Sequence, residues 1–177
     1  MINNVDYFSR KTSCNRIPCG IKNLGNRYPH YKVNLDYGGG KYDTATIYLA
    51  AIGITNHVFD PYNRSESHNK SVLLNEFDSV TVLNVLNVIA DRSERVQVIR
   101  EAYSRLKVGG LFIIQIYEGN RSGVGAVTKS KTYQHNHRME DYFDEIKEAI
   151  PSIKRFWRVD EKKNLIIIHK NAETAQQ

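Results

Sequence analysis

The stretch Val33-Asn34-Leu35-Asp36-Tyr37-Gly38-Gly39-Gly40 decides the fold class, because it places an acidic residue and three glycines where a short strand ends. The alternation over Tyr31–Asp36 predicts that strand. Apolar residues at helical spacing predict a helix over Asp43–Ile52. Glycines at such a strand-to-helix turn let the backbone approach a ligand closely. The stretch therefore predicts an α/β fold with a ligand above the first strand.

A second acidic residue, Asp60, ends the next predicted strand, which is centred on Val58-Phe59. Asp60 lies 20 residues beyond Gly40. A carboxylate at this position can accept hydrogen bonds from both hydroxyls of a ribose. A glycine-rich turn alone often serves only the turn, but the acidic strand end at this spacing adds independent support. The two features together predict a nucleoside-bearing cofactor at the carboxyl ends of the strands.

The same residues narrow the class of nucleoside. A dinucleotide fingerprint needs a third glycine where Asp43 stands, and the Gly-Lys-Ser/Thr of a phosphate-binding loop is absent. Asp36 and Asp43 would also put negative charge at a helix N-terminus meant for phosphate. A cofactor with a positively charged, phosphate-free tail fits better. S-adenosylmethionine has such a tail, and Asp36 would lie near its amino acid moiety.

The remaining chain predicts further strand–helix alternation and a terminal hairpin. We expect a very short strand at Val72–Leu74, a buried strand at Ser79–Val85, a helix at Asp91–Lys107, a strand at Leu111–Tyr117, a long loop at Gly119–His137, a helix at Met139–Ile150, and a hairpin of Ile153–Val159 with Leu165–Lys170. This order predicts a three-layer sandwich with a mostly parallel central sheet that ends in an antiparallel hairpin. A basic arm (1–30), one domain (31–170) and a polar tail (171–177) complete the expected organisation.

These motifs resemble the class I (Rossmann-like) S-adenosylmethionine-dependent methyltransferases over about residues 31–170. Val33–Gly40 resembles their first motif, acidic residue-x-Gly-x-Gly, and Val58-Phe59-Asp60 is similar to their second strand with its ribose-binding acid. Leu106–Leu111 resembles the Leu-Lys-Pro-Gly-Gly that leads into their fifth strand, and Ser79–Ile89 resembles their fourth strand. The loop Gly119–His137 resembles small methyltransferase-like proteins of bacteriophages and mobile elements.

The sequence also departs from that family. Tyr42 stands in place of the usual third glycine, and Val108 replaces the proline. Only 17 residues separate Asp60 from Asp78, so the helix and strand of that segment must be abbreviated. Asn84-Val85-Leu86-Asn87 occupies the place of the Asn/Asp-Pro-Pro-aromatic turn of enzymes that methylate base amines, which disfavours that reaction.

The resemblance implies a set of cofactor contacts. It places the methionine moiety beside Asp36, Gly38 and Gly40, the ribose on Asp60, the adenine near Tyr62 and Asn75, and the sulfonium side against Asn84 and Val85. Turn formation is the alternative role for these aspartates and for Tyr62. For Asn87 we expect a purely local role, because polar residues just after a strand usually cap the next turn.

The acceptor side is less defined by the sequence. Methyl transfer is an in-line displacement in which positioning does most of the work, so a dedicated base is not required. His135 and His137 are the candidate catalytic residues, since such reactions sometimes use a histidine. With nearby basic residues they could instead hold a phosphate-bearing substrate, or belong to a solvated loop (Arg121, Lys129, Lys131, Arg138).

Charge is concentrated at the ends of the chain. The formal net charge is +6, and Met1–Lys32 carries six basic side chains against Asp6 alone. This excess favours a small or anionic acceptor. Nucleic acid is the less favoured partner, because the arm is only moderately basic and has no stacking platform beyond Tyr28 and Tyr31.

Methyl transfer from S-adenosylmethionine to an unidentified acceptor is therefore the expected function. The alternative is a protein that binds this cofactor without methyl transfer and acts as an inhibitor or partner of a host protein. A nicotinamide oxidoreductase is disfavoured by Asp43 and by the terminal hairpin.

The compartment follows from the apolar runs and the cysteines. No apolar run approaches the roughly 18 residues of a membrane span, and the polar Met1–Asn26 has no signal-peptide core. Cys14 and Cys19 lack the further ligands of a structural zinc site, so free thiols and no metal are expected. We therefore expect a cytoplasmic protein with no membrane partner.

Overall fold

The computed structural model describes residues 11–129, 131–153 and 157–171. Its helices are α1 (Cys19–Arg27), α2 (Thr44–Ala50), α3 (Glu66–Val72), α4 (Arg92–Ser104) and α5 (Phe143–Ala149). Its strands are β1 (Val33–Tyr37), β2 (Thr55–Phe59), β3 (Phe77–Leu83), β4 (Leu106–Gln115), β5 (Ala126–Val127), β6 (Tyr133–Gln134), β7 (Trp157–Asp160) and β8 (Leu165–His169). Short 3₁₀ turns occupy Leu86–Val88, Met139–Tyr142, Pro151–Ile153 and Glu161–Lys163.

Six strands form one sheet in the order β2-β1-β3-β4-β8-β7, and β5 pairs with β6 in a separate hairpin. The first four strands of that order are parallel, whereas β8 runs antiparallel to β4 and to β7. This confirms the predicted α/β fold with a mostly parallel sheet that ends in antiparallel strands. Because β1 connects outward to β2 while β3 lies on its other side, the strand order reverses between β1 and β3. Ligands bind in open α/β sheets at such a reversal, beside the carboxyl ends of the strands.

Side-chain alternation along the strands builds two cores. In β4, Phe112 and Ile114 pack into a core with α4 and α5, while Leu111 and Ile113 pack into a second core on the other face. That second core receives Ile21 and Leu24 of α1 and Leu49 of α2, and each of these side chains is fully buried. Helices therefore cover both faces of the sheet. The segment 1–30, expected to be an arm, contains one of these packed helices.

The short strand expected at Val72–Leu74 was a wrong prediction. Val72 ends helix α3, which begins after Ser65, whose hydroxyl accepts a hydrogen bond from the His68 amide (3.3 Å). Leu74 is 86% exposed, and the Asn75 side chain donates to the carbonyls at the end of the helix. The abbreviated crossover from β2 to β3 thus keeps its helix and has no strand of its own.

Several other elements differ in detail from the sequence-based expectation, among them β4, which spans Leu106–Gln115 where a strand over Leu111–Tyr117 was expected. The helix expected over Met139–Ile150 is divided into a 3₁₀ turn and the shorter helix α5. The loop expected over Gly119–His137 contains the β5–β6 hairpin. Across the described ranges, no helix has both the length and the apolar character needed to cross a membrane.

Candidate functional site

The glycine turn after β1 requires glycine at Gly38 and Gly40. Their φ angles are +82° and +74°, in the left-handed region that favours glycine. A Cβ on Gly38 would also lie 2.5 Å from a methyl carbon of Val85, which follows β3. The turn is tied to β2, because the Gly38 amide donates to the Phe59 carbonyl at 2.7 Å. The backbone therefore lies close against the ends of both neighbouring strands.

Asp36 is buried at the end of β1, directly beneath this turn. Its Oδ1 accepts a hydrogen bond from the Thr81 hydroxyl at 3.0 Å, and Oδ2 has no hydrogen-bond partner among the described residues. Burial raises the pKa of Asp36 from 3.8 to about 6, with a smaller contribution from the nearby Asp60 carboxylate. A buried carboxylate with an unused oxygen is well suited to receive a cationic group.

Asp60 organises the turn after β2 and joins it to the glycine turn. Its Oδ2 accepts from the Gly40 amide at 2.8 Å. Its Oδ1 accepts from the amides of Tyr62 and Asn63, both at 2.9 Å, and from the Asn63 side chain at 3.1 Å. The turn-forming role considered for Asp60 is therefore real. The carboxylate still lines the site, and Oδ2 has accepting capacity beyond its single bond to Gly40.

Two adjoining cavities open at the carboxyl ends of the strands. The Asp60 cavity, of about 360 Å³, is lined by Asp60 and Tyr62, by the apolar Phe59 and Val85, and by polar side chains of α4 (Glu94, Gln97, Glu101). The Asp36 cavity, of about 550 Å³, is lined by Asp36, the glycine turn, Tyr42 and residues of the β5–β6 hairpin (Thr128, Thr132, Tyr133, Gln134). Thr12, Gly38, Asn84 and Val88 line both cavities, so the cavities meet above β1 and β3.

The N-terminal segment forms part of the wall. Thr12, Ser13, Cys14, Arg16 and Pro18 line the Asp36 cavity. Ser13 accepts a hydrogen bond from the Lys41 amide at 3.1 Å, and Asn15 accepts one from the Thr44 hydroxyl. A Cβ on Gly40 would meet the Ser13 hydroxyl at 2.5 Å. The segment thus packs directly onto the glycine turn.

This packing makes Cys14 a reporter of cavity occupancy. Cys14 is an exposed free thiol on the cavity wall, whereas Cys19 is only half-exposed. Alkylation of Cys14 by iodoacetamide is expected to slow severalfold when S-adenosylhomocysteine binds, because the ligand restricts access to that wall. Mass spectrometry of labelled peptides measures both thiols at once. Protection of Cys19 alone, or of neither thiol, would contradict this placement of the segment.

The structure brings most of the expected cofactor residues together. Asp36, Gly38 and Gly40 line the Asp36 cavity, and Asp60, Tyr62, Asn84 and Val85 line the Asp60 cavity. Asn75 is the exception, because it precedes β3 and therefore lies at the opposite edge of the sheet from the site. Without a strand between α3 and β3, no element carries Asn75 to the carboxyl edge. The Asp60 cavity is lined by residues of α4 and not by Asn75.

The candidate catalytic histidines lie behind the wall of the Asp36 cavity. His135 and His137 stack on each other at 3.8 Å between ring centroids, and His135 also packs against Tyr142. Neither histidine is among the described residues that line the two cavities. His135 instead contacts a lining residue, since its Nδ1 lies 3.0 Å from the Tyr133 hydroxyl oxygen. Burial lowers the pKa of His135 to about 4, so its ring is neutral at pH 7.

Sequence reasoning missed several residues of the site. Asn87, expected only to cap a turn, lines the Asp36 cavity together with Tyr117, Tyr133 and Gln134. Tyr133 and Gln134 belong to β6, which packs against the turn after β3 through a 2.8 Å hydrogen bond from the His135 amide to the Asn87 carbonyl. No pattern in the sequence joins two segments that lie so far apart in the chain.

Several solved structures of methyltransferases align with this chain. The sugar N-methyltransferase KedS8 of Streptoalloteichus sp. aligns with a TM-score of 0.59 at 12% identity, over 86% of this chain and 85% of that chain. An O-methyltransferase family protein of Burkholderia thailandensis aligns with a TM-score of 0.59 at 16% identity, over 86% and 55% of the two chains. The chain has the fold of the S-adenosylmethionine-dependent methyltransferases.

The likeness extends to a structure that holds the cofactor. Human N-acetylserotonin methyltransferase in complex with SAM aligns with a TM-score of 0.58 at 15% identity, over 87% of this chain. The present chain spans about half of that human protein, 52% of its length. No family model matches the sequence, and no curated protein matches it.

The described residues fit S-adenosylmethionine. The glycine turn leaves space that a Cβ would fill, Asp36 has an oxygen, Oδ2, that could receive an ammonium group, and Asp60 has accepting capacity at Oδ2 for a ribose hydroxyl. Phe59 and Val85 provide apolar surface for a purine beside the polar groups of α4. No cluster of three or more His, Cys, Asp or Glu side chains suited to a metal ion occurs among the described residues.

Proposed function

We propose that this protein transfers a methyl group from S-adenosylmethionine to a small acceptor bound in the Asp36 cavity. The observation that carries the proposal is the meeting of two cavities at the reversal of strand order. One is bordered by the ribose-binding candidate Asp60, and the other by Asp36 and by side chains that a cofactor alone would leave unused. Volumes of about 360 and 550 Å³ are in the range of small-molecule sites.

When bound, S-adenosylmethionine would supply an electrophilic methyl group. An acceptor nitrogen or oxygen would bond to the methyl carbon as the carbon–sulfur bond breaks, with the electron pair of that bond left on sulfur. The acceptor proton would go to water. The protein's own part is positioning. Asp36 would hold the ammonium end, and Asp60 the ribose. Tyr133, fixed by neutral His135, would orient the acceptor from the hairpin side. His135 is thus proposed as a positioning residue.

The rim of the Asp36 cavity is suited to an acceptor with an anionic group. Arg16 lines the cavity, and its guanidinium has no ion pair or hydrogen bond among the described residues. The turn that bears Lys129 and Lys131 lies between two cavity residues, Thr128 and Thr132. An acceptor carboxylate or phosphate would find positive charge on both sides of the opening.

Transfer of labelled methyl groups tests the proposal. The protein is incubated with S-[methyl-³H]adenosylmethionine and with either the small-molecule or the macromolecular fraction of a cell lysate. We expect label to enter the small-molecule fraction and an Asp60→Asn variant to transfer much less. Calorimetric binding of the cofactor without transfer into either fraction would instead favour a protein that binds S-adenosylmethionine and acts on a partner.

The β5–β6 hairpin should respond to ligand. It is exposed along β5, and tryptic sites lie before it at Arg121 and in its turn at Lys129 and Lys131. Because Tyr133 and Gln134 line the Asp36 cavity, binding of cofactor and acceptor should slow cleavage at these sites. Mass spectrometry of a trypsin time course gives the cleavage rate at each site. Cleavage confined to the chain ends, with the hairpin resistant throughout, would contradict a covering role.

A further inference from the structure

A strip of buried polar side chains crosses the sheet on a face that is otherwise apolar. On this face, β4 presents Leu111 and Ile113 to the second core. Opposite them in the register of β3 stand Ser79 and Thr81, and Asn34 of β1 lies beside Ser79. Ser79, Thr81 and Asn34 are fully buried. Polar side chains in such a place have lost their water, so each needs a hydrogen-bond partner inside the protein.

The hydrogen bonds of this polar strip form one connected chain that ends on Asp36. The Thr46 hydroxyl of α2 accepts from Asn56 Nδ2 at 2.9 Å, and Asn56 Oδ1 accepts from Asn34 Nδ2 at 2.7 Å. Asn34 Nδ2 also donates to the Thr81 hydroxyl oxygen at 3.3 Å. Thr81 in turn donates to Asp36 Oδ1 at 3.0 Å. Of the side chains joined in this way, Asp36 is the one that can carry a charge.

An ionised Asp36 sets the direction of these bonds. A carboxylate can only accept, so the Thr81 hydroxyl gives its hydrogen to Oδ1, and the hydroxyl oxygen is left to accept from Asn34 Nδ2. Asn34 Oδ1 then accepts from the Ser79 hydroxyl at 2.8 Å. The hydrogens of Ser79, Asn34 and Thr81 therefore all point along the chain toward Asp36. Hydrogen bonds that are aligned in this way strengthen one another.

The bond from Thr81 leaves the second oxygen of Asp36 for the cavity. Oδ2 lies beneath the glycine turn, where a Cβ on Gly39 would stand 2.7 Å from it. Oδ2 has no hydrogen-bond partner among the described residues, and the unpaired side-chain atoms that are fully enclosed lie on other described residues. Since Asp36 lines its cavity, Oδ2 keeps access to a ligand there.

The charge of Asp36 depends on several groups around it. Burial is the main cause that raises the pKa of Asp36, and the nearby Asp60 carboxylate adds to it. The bond from Thr81 opposes burial most strongly, with a smaller contribution from the positive charge of Arg64. Arg16 is a further cation on the wall of the same cavity. A hydrogen bond from a neutral hydroxyl is therefore the main feature of the fold that favours the charged form.

We propose that Thr81, held in place by Asn34, is a positioning residue that keeps Asp36 ionised, so that Oδ2 can receive the ammonium group of S-adenosylmethionine. The inference rests on the proposed function and deepens it, because it makes the pH range of cofactor binding depend on a bond inside the sheet. Thr81 is fully buried and is not among the described residues that line either cavity. It therefore acts through Asp36 and not on the ligand.

Calorimetric titration with S-adenosylhomocysteine between pH 5 and 8 tests this role in Thr81→Val, which keeps the shape and removes the hydroxyl. The midpoint of the pH dependence should rise by about one unit, because a charge-assisted hydrogen bond is lost. The affinity should then fall about fivefold at pH 6 relative to wild type and stay within about twofold of it at pH 8. Comparing the two proteins at each pH cancels the titration of the ligand's own amine.

Three further variants separate this role from a general effect on folding. Thr81→Ser keeps the donor, so its pH profile should match that of wild type. Thr46→Val is the matched control, because the same replacement is made at the far end of the chain, where the hydroxyl bonds to Asn56. It should change the free energy of unfolding without moving the profile. Asn34→Leu should move the profile in the same direction as Thr81→Val but less far.

A titration without ligand measures the ionisation of Asp36 directly. In protein labelled with ¹³C-aspartate, the NMR signal of its carboxyl carbon is identified by its absence from Asp36→Asn. We expect a midpoint near pH 6 in wild type and a higher one in Thr81→Val. In the Asp36→Asn background, Thr81→Val should leave the pH dependence of S-adenosylhomocysteine binding unchanged. That double variant excludes Asp60 as the group that titrates.

Each result decides the inference. A Thr81→Val profile identical to that of wild type, a serine variant that behaves like valine, or a shift that persists in the Asp36→Asn background would overturn it. If Thr81→Val does not fold, Thr81→Ala removes the same hydroxyl and carries the same prediction. Absence of S-adenosylhomocysteine binding by wild type at every pH is a different outcome. It removes the proposed function, and the NMR titration then decides whether Thr81 controls the charge of Asp36.

Discussion

Replacing Asp60 by asparagine is expected to weaken S-adenosylmethionine binding at least about tenfold. The carboxylate accepts hydrogen bonds from Gly40, Tyr62 and Asn63, and asparagine has only one accepting oxygen for them. The variant would lose the bond to the glycine turn and the proposed bond to the ribose. Hydrogen bonds to charged groups contribute about 1.5–3 kcal/mol each, and about 1.4 kcal/mol corresponds to a tenfold change in affinity. Isothermal titration of both proteins measures the difference.

Asp78 offers a matched control for this variant. Its carboxylate also accepts backbone bonds, from the amides of Lys32 (3.1 Å) and Val33 (3.0 Å), and it pairs with Lys107. It lies near the start of β3, at the edge of the sheet opposite the cavities. Asp78→Asn should lower stability without changing cofactor affinity. Equal affinity of Asp60→Asn and wild type, with both folded, would refute the ribose assignment.

Replacing Asp36 by asparagine is expected to stabilise the cofactor-free protein at pH 8. Burial raises the pKa of Asp36 from 3.8 to about 6, so folding disfavours the ionised form. The protonated Asp36 carboxyl makes its full contribution to the free energy of unfolding below about pH 4. This contribution is lost as the pH rises through 6. At about 1.4 kcal/mol per pH unit, this loss is about 3 kcal/mol for the wild type. The asparagine variant has no such loss, and it can still accept the bond from Thr81.

Urea unfolding of both proteins at pH 4, 6 and 8 measures this effect. The advantage of Asp36→Asn should grow across the interval and level off above the pKa of Asp36. Cofactor binding should change in the opposite direction, because the ammonium group needs the ionised carboxylate. The variant should bind more weakly at pH 8, and wild-type affinity should fall below pH 6. Parallel stability curves for the two proteins would show that Asp36 is not the titrating group.

The sequence predicts the fold and the clustering of Asp36, the glycine turn and Asp60 because their signals are local. The strand before Asp36, the glycine turn and the acidic end of β2 are each specified within a few residues. Parallel pairing then brings them to one edge of the sheet. The wrong prediction of a strand at Val72–Leu74 shows that a short apolar run does not distinguish a strand from a helix end. The cap at Ser65 and tertiary packing made Val72 the end of a helix.

The wall that the β5–β6 hairpin gives to the Asp36 cavity depends on contacts that periodicity does not encode. His135 was a reasonable candidate by chemistry, yet the hairpin turns Tyr133 and Gln134 toward the cavity and packs His135 against Tyr142. The interpretation of Asn87 as a local cap was equally reasonable. The position of Asn87 on the wall of the Asp36 cavity emerges only when β6 is placed beside the turn after β3. That long-range contact is a property of the folded chain.

Calorimetric titration of the purified protein with S-adenosylmethionine, S-adenosylhomocysteine and NAD tests the central claim most directly. We expect both adenosyl ligands to bind at one site, to compete with each other and to bind more weakly to Asp60→Asn, while NAD gives no heat. Binding of NAD, or no binding of either adenosyl ligand by a protein whose folding is verified by circular dichroism, would contradict the account.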